Sequence, residues 1–344
     1  MKKQHILKTV CLFACSILAV QSIKAQNENI IKHLELQARG DYQREYIDGK
    51  AIRDNSGFKG KYFNFIISGE ITEGLSYYYR QRLNRISSSS TFFDATDWLY
   101  LNYDATKNLT LSAGKQVVGI GGFEYERAPI NIYFASEYWN NIPCYQWGVS
   151  ATLHTNSQKD HFLLQVCQSP FRTYVLHNDI YAYNLMWTGQ HNWFETLWSL
   201  NLQEFAEGKF INYITLGNAL NFGKWRVELD LMNRAVDKQT FLFRDCSVMG
   251  EVRFKASDAV SVFAKATYDV NKSEKTGDYC VLPGTEVTRI GGGVEYFPLK
   301  NRNLRLHADY CYTMGTQGNI SGALRDKQSC INAGLTWNVN FIDK

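Results

Sequence analysis

Residues 114–139 read GKQVVGIGGFEYERAPINIYFASEYW and keep no period, although the chain on either side alternates strictly. The stretch gathers Glu124, Glu126 and Arg127 among aromatic residues, with Lys115 at its start. Charges of both signs packed this closely suit a narrow passage, where low dielectric magnifies each one for a passing ion. Gly119, Gly121 and Gly122 would let the backbone turn close against a wall. A connection of this length is either functional or disordered, and its mix of glycine, aromatics and charge is unlike a disordered tail. Lys115, Glu124, Glu126 and Arg127 are therefore the candidate constriction residues. Arg80 and Arg82 lie two apart on one strand, point the same way and could together attract an anion.

Other chemical signals are weaker. GIGG and RIGGG (Arg289 to Gly293) invite a phosphate-loop reading, but neither precedes a helix nor ends in Gly-Lys-Ser/Thr. The seven histidines form no HxxxH or HExxH spacing, so no metal site and no cofactor is expected. Ser169, His177 and Asp179 share one loop, a proximity that chance supplies often, and the chain is not read as an enzyme. Six cysteines follow the leader: Cys144, Cys167, Cys246, Cys280, Cys311 and Cys330. Antiparallel partners across a turn share a constant residue sum. Cys144 with Cys167 has the sum of Leu153 with Gln158, and Cys311 with Cys330 that of Met314 with Lys327. Both pairs are thus disulfide candidates in an oxidising compartment, and Cys246 with Cys280 is left as a third.

The elements that must position these residues are strands. In SCINAGLTWNVNF, Ile331, Ala333, Leu335, Trp337, Val339 and Phe341 alternate with smaller or polar residues. Period two recurs in about sixteen runs, from near 30–46 to 328–341, and no long window supports a helix. Every second connection is short (ITEG, ATKN, HTNS, GQHNW, NFGK, ASDA, LKNRN). The others are mostly long, at 47–58, 87–96, 117–145, 169–180, 234–246, 270–286 and 314–327. Short turns at one rim and long loops at the other predict a closed transmembrane antiparallel β-barrel. Its apolar face would meet outer-membrane lipid, its polar face would line an aqueous lumen, and the long third loop would fold into that lumen.

The first 25 residues read as a signal peptide: Lys2 and Lys3, an apolar core from Val10 to Val20, and Ala25 before the cut. The barrel is then expected over residues 26–344. Lys2, Lys3, Lys8 and Lys24 leave with the leader, which takes 37 basic residues to 33 against 33 acidic ones. A neutral mature chain speaks against nucleic acid as a partner.

GKQ at 114–116, running from a strand into Gly-Gly-Phe-Glu at 121–124, resembles the phosphate-selective porin O and P family in its Bacteroidota form. The strand rhythm is similar along the whole mature chain, and the motif likeness is confined to about residues 110–150. The resemblance implies a sixteen-stranded barrel in a Gram-negative outer membrane, commonly trimeric, with its third loop inside. It implies passive passage of small hydrophilic solutes or ions, anions such as phosphate among them. The rival expectation is a surface barrel that binds or adheres through its long loops and conducts nothing.

Overall fold

The computed structural model describes residues 30–86, 91–175, 179–236 and 244–344. The expected signal peptide at 1–25 lies outside the described residues. Sixteen strands follow in order: β1 (His33–Ile47), β2 (Lys50–Thr72), β3 (Leu75–Arg82), β4 (Thr96–Thr106), β5 (Leu109–Val117), β6 (Tyr145–His154), β7 (Asp160–Gln168) and β8 (Tyr181–His191). The second half comprises β9 (Phe194–Ala206), β10 (Lys209–Phe222), β11 (Trp225–Ala235), β12 (Asp245–Lys255), β13 (Val260–Asn271), β14 (Thr285–Tyr296), β15 (Leu304–Thr316) and β16 (Gln328–Asp343). Each pairs antiparallel with its sequence neighbours, and β16 pairs back onto β1, with Leu36 opposite Val339 and Ala38 opposite Trp337. Closure leaves no strand edge, which is what a sheet surrounded by lipid requires of its backbone hydrogen bonds.

Burial runs opposite to that of a soluble core. Leu164 is 61% exposed and Val149 58%, whereas Asp269 is 0% and Arg39 3% exposed. Val149 stands opposite Val166 and Leu164 opposite Leu185, so aliphatic side chains tile the outer surface from strand to strand. The polar half of the alternation turns inward, where acids and bases pair across strands.

Two features differ from the expectation. The first long connection, at 47–58, is strand: β1 and β2 continue past the rim as a hairpin with Ile47 opposite Lys50. Asp48 at φ 49° and Gly49 at φ 74° make its two-residue turn, and an Asp-Gly pair is the strongest local signal for such a turn. The inward face of the wall is also not polar throughout. Val118, Ile120, Tyr125, Tyr138 and Ile142 of the third long loop pack with Cys167, Ala182, Ile211, Tyr213 and Met232 of β7, β8, β10 and β11. Each side chain removed from water in this way favours the docked loop by about 1.5–3 kcal/mol.

No disulfide joins the six described cysteines. The expected register of Cys144 with Cys167 is corrected: Cys167 faces Gly148, because the β6–β7 turn is centred about two residues further along the chain, with His154 opposite His161. Cys280 lies against Tyr213, whose hydroxyl donates to its sulfur at 3.8 Å, while Cys246 stands between Asn233 and Val270. Cys311 and Cys330 do stand directly opposite one another.

Candidate pore-lining site

β5 ends at Val117, and the loop that follows is closed at its neck, where the Val118 amide donates to the Cys144 carbonyl at 2.9 Å. Between those points the chain bonds to wall residues of strand after strand. Gly119 donates to Gln165 Oε1 on β7 at 2.8 Å, and Gly121 donates to Ser199 Oγ on β9 at 2.8 Å. Gly121 passes so close to β9 that a Cβ there would lie 2.4 Å from the Leu197 carbonyl oxygen. Gly122, at φ 102°, turns the chain into one helical turn, α1 (Phe123–Glu126). A second, α2 (Glu137–Asn141), follows a bend at Pro129.

Wall carboxylates hold both turns by their free N-terminal amides. Asp230 on β11 accepts from Phe123 N at 2.9 Å and Glu124 N at 2.8 Å. Asp269 on β13 accepts from Glu137 N at 2.8 Å and Tyr138 N at 3.4 Å, and Ser136 Oγ accepts from Trp139 N at 3.1 Å. A carboxylate at helix amides is stabilised by charge-assisted hydrogen bonds and by the local peptide dipoles. Between the two turns, Arg39 of β1 donates to the carbonyls of Ile130 and Ile132 at 3.1 and 2.7 Å. Arg305 of β15 reaches Asn131 Oδ1 at 2.9 Å, and the Tyr133 hydroxyl donates to Glu295 of β14 at 2.6 Å.

The candidate constriction residues do not form one group. Glu124 and Arg127 line a shared crevice with Glu228, Asp230, Glu251 and Lys265. Lys265 Nζ lies 2.6 Å from Glu124 Oε1, and Arg127 bonds both Glu228 and Glu251. Glu126, one residue away, is exposed and its side chain has no hydrogen-bond or ion-pair partner among the described residues. Lys115 sits elsewhere, its Nζ donating to the Phe93 carbonyl at 2.6 Å beside a cavity of about 240 Å³ lined also by Arg82, Asp94, Asp97 and Tyr145. Arg80 and Arg82 share one acceptor, Asp97 Oδ2, at 3.0 and 2.6 Å, and Arg80 lies over the Trp98 ring at 3.9 Å. Sequence periodicity missed Asp97 because β4 bulges there: Arg80 faces Trp98 and Gln81 faces Thr96, so the extra residue leaves the alternation.

Toward the short-turn rim lies a belt of alternating charge. Glu195, Arg226, Glu228, Arg127, Glu251, Arg253, Glu295 and Arg305 are linked in that order by ion pairs. The belt is neutral in count but not in presentation. The side chains of Arg226 and Arg253 are 29% and 23% exposed, against 10%, 5% and 6% for Glu228, Glu251 and Glu295. Two of the four guanidiniums meet the water together with Glu195, which is 26% exposed, and the other three carboxylates stand behind them. In the loop itself, burial pushes the Glu137 carboxyl up to about 7, and the nearby Asp269 charge adds to that.

A closed sixteen-stranded barrel, apolar outside and charged within, is the architecture of a diffusion porin in a Gram-negative outer membrane. The chain belongs to the phosphate-selective porin O and P family, which it matches over residues 33–244. No curated protein matches the sequence. Among solved structures the fold is similar to an anion-selective porin from Comamonas acidovorans, with TM-score 0.62, 10% identity, and 89% of this chain and 98% of that one covered. It is similar also to the outer membrane channel DcaP of Acinetobacter baumannii, with TM-score 0.60, 10% identity, and coverage of 89% and 96%. The trimer form of OmpT from Vibrio cholerae gives TM-score 0.57, 13% identity, and coverage of 89% and 98%.

Proposed function

We propose that this porin passes small hydrophilic anions, and that the third long loop crosses the lumen and sets the width of the passage. The observation that carries the reading is the belt in which Arg226 and Arg253 face water while Glu228, Glu251 and Glu295 lie behind them, Glu195 being its one comparably exposed acid. A permeating anion meets Arg226 and Arg253 first, at short range and in a confined medium where screening is weak. Glu124 and Arg127 serve chiefly to hold the loop, each being neutralised by a wall partner. Glu126 is the opposing charge, an exposed acid with no partner among the described residues.

The family and two anion-conducting or channel-forming structural neighbours support the reading, as does a wall built for passage rather than bond-making. The same reading takes the assembled unit to be a homotrimer, as in the trimer form of the V. cholerae protein. Planar-bilayer recording in a potassium chloride gradient tests it. The wild type should give an anion-selective reversal potential, and Arg226→Gln with Arg253→Gln should move it toward cations. A cation-selective wild type, or a double variant with an unchanged potential, overturns it.

A further inference from the structure

Cys311 on β15 and Cys330 on β16 stand directly opposite each other, and Cys330 packs against the cluster that holds Cys311. Opposed residues in an antiparallel pair have Cα atoms about 4.5–5.5 Å apart, inside the span of about 4.4–6.8 Å that a disulfide bridges. Both line a cavity of about 300 Å³, together with Glu45, Lys59, Lys61, Arg289 and Asp309. The two differ in access: Cys311 is 2% exposed, whereas Cys330 is only partly buried. They differ in electrostatics as well. Arg289 Nη2 donates to Cys311 Sγ at 3.2 Å, while its Nη1 lies 3.4 Å from the Ala135 carbonyl of the third long loop.

We propose that Cys311 and Cys330 form a reversible dithiol–disulfide couple open to the lumen, whose reaction partner is a small soluble disulfide. The more accessible Cys330 is the attacking thiol and Cys311 the resolving one. The Cys330 thiolate attacks one sulfur of the incoming R–S–S–R. That S–S bond breaks, and the leaving thiolate RS⁻ takes up the proton Cys330 gave. The Cys311 thiolate, held by Arg289, then attacks Cys330 Sγ and displaces the second RS⁻, which takes up the Cys311 proton. The pair loses two electrons, and the small disulfide becomes two thiols. Of the charged residues lining this cavity, Arg289 is the one that touches a sulfur, and it favours thiolate at the resolving Cys311.

The chain from residue 26 onward, with its six cysteines, folded in detergent, reduced and freed of reductant, is incubated with oxidised glutathione. Thiols are then counted and peptides mapped without reduction. The expected result is loss of two of the six thiols, an intramolecular Cys311–Cys330 peptide pair, and recovery of both thiols with dithiothreitol. Cys311→Ser should stop halfway, with a stable glutathione adduct on Cys330, and Cys330→Ser should keep its Cys311 thiol. Wild-type protein that keeps all six thiols overturns the couple, as does pairing at other cysteines or between chains. An adduct-free Cys311→Ser overturns the assigned order. If either variant fails to fold, judged by its heat-dependent gel shift, the wild-type peptide map still decides whether the couple forms.

Discussion

Asp230→Ala should loosen the third long loop while leaving the barrel wall intact. Asp230 contributes to β11 through its backbone, paired opposite Gly217 and Met249, and an alanine keeps those bonds. Its side chain, only 2% exposed, is the acceptor for the amides of Phe123 and Glu124 at 2.9 and 2.8 Å. Two buried amides left without an acceptor cost about 1–3 kcal/mol each. Removing an acid that stands near Glu124 and Glu228 relieves some repulsion, so the net loss of loop anchoring is about 2–3 kcal/mol. At 1.4 kcal/mol per decade, undocked excursions become roughly 30- to 150-fold more frequent. Asp269, Lys265 and Arg39 still hold the rest of the segment, so the loop flickers rather than leaves. Single-channel recording should reveal added open-state noise with brief excursions to higher conductance. Limited proteolysis should cut faster near residues 126–131. Asp230→Asn, which keeps one acceptor oxygen, should fall between the two. Heat-dependent gel mobility should match the wild type for both variants. Traces and cleavage rates indistinguishable from wild type for Asp230→Ala would refute the claim that this carboxylate anchors the loop.

Glu126→Gln removes a charge with no described partner, so stability should hold while reversal potential moves toward anions, strongly at 0.1 M salt and weakly at 1 M as screening shortens. Arg127→Glu sets a third carboxylate against Glu228 and Glu251, at about 3–5 kcal/mol of loop anchoring. It should therefore shift selectivity toward cations and also raise open-channel noise. Glu137 has a raised pKa when the loop is docked, so its contribution to docking is present in acid and is lost as pH rises through about 7. Loop noise should grow between about pH 5 and pH 8, and Glu137→Gln should flatten that dependence. Deleting residues 121–136 should raise single-channel conductance; an unchanged value would mean that the segment does not obstruct the passage.

The sequence by itself determined the wall. Alternation of the kind seen from Ile331 to Phe341 has period two, which is a property of the strand backbone and needs no partner to be read. Loop lengths then separated the rims, and the strand count followed. It also identified the stretch with Glu124, Glu126 and Arg127 as the place where the wall's regularity stops. Even where it failed on the wall, at 47–58, the local signal was present in Asp48 and Gly49, whose positive φ angles the hairpin uses. What only the tertiary structure decided is which charges cancel. Arg127 is offset by Glu228 and Glu251, 101 and 124 residues away in the chain, while its near neighbour Glu126 is offset by none among the described residues. Lys115, close in sequence to that group, belongs to a separate cavity around Arg82 and Asp97. Pairing between wall and loop depends on where a loop of irregular backbone lands. That is set by many weak contacts and a few capped amides whose partners are strands apart, and no local period encodes it.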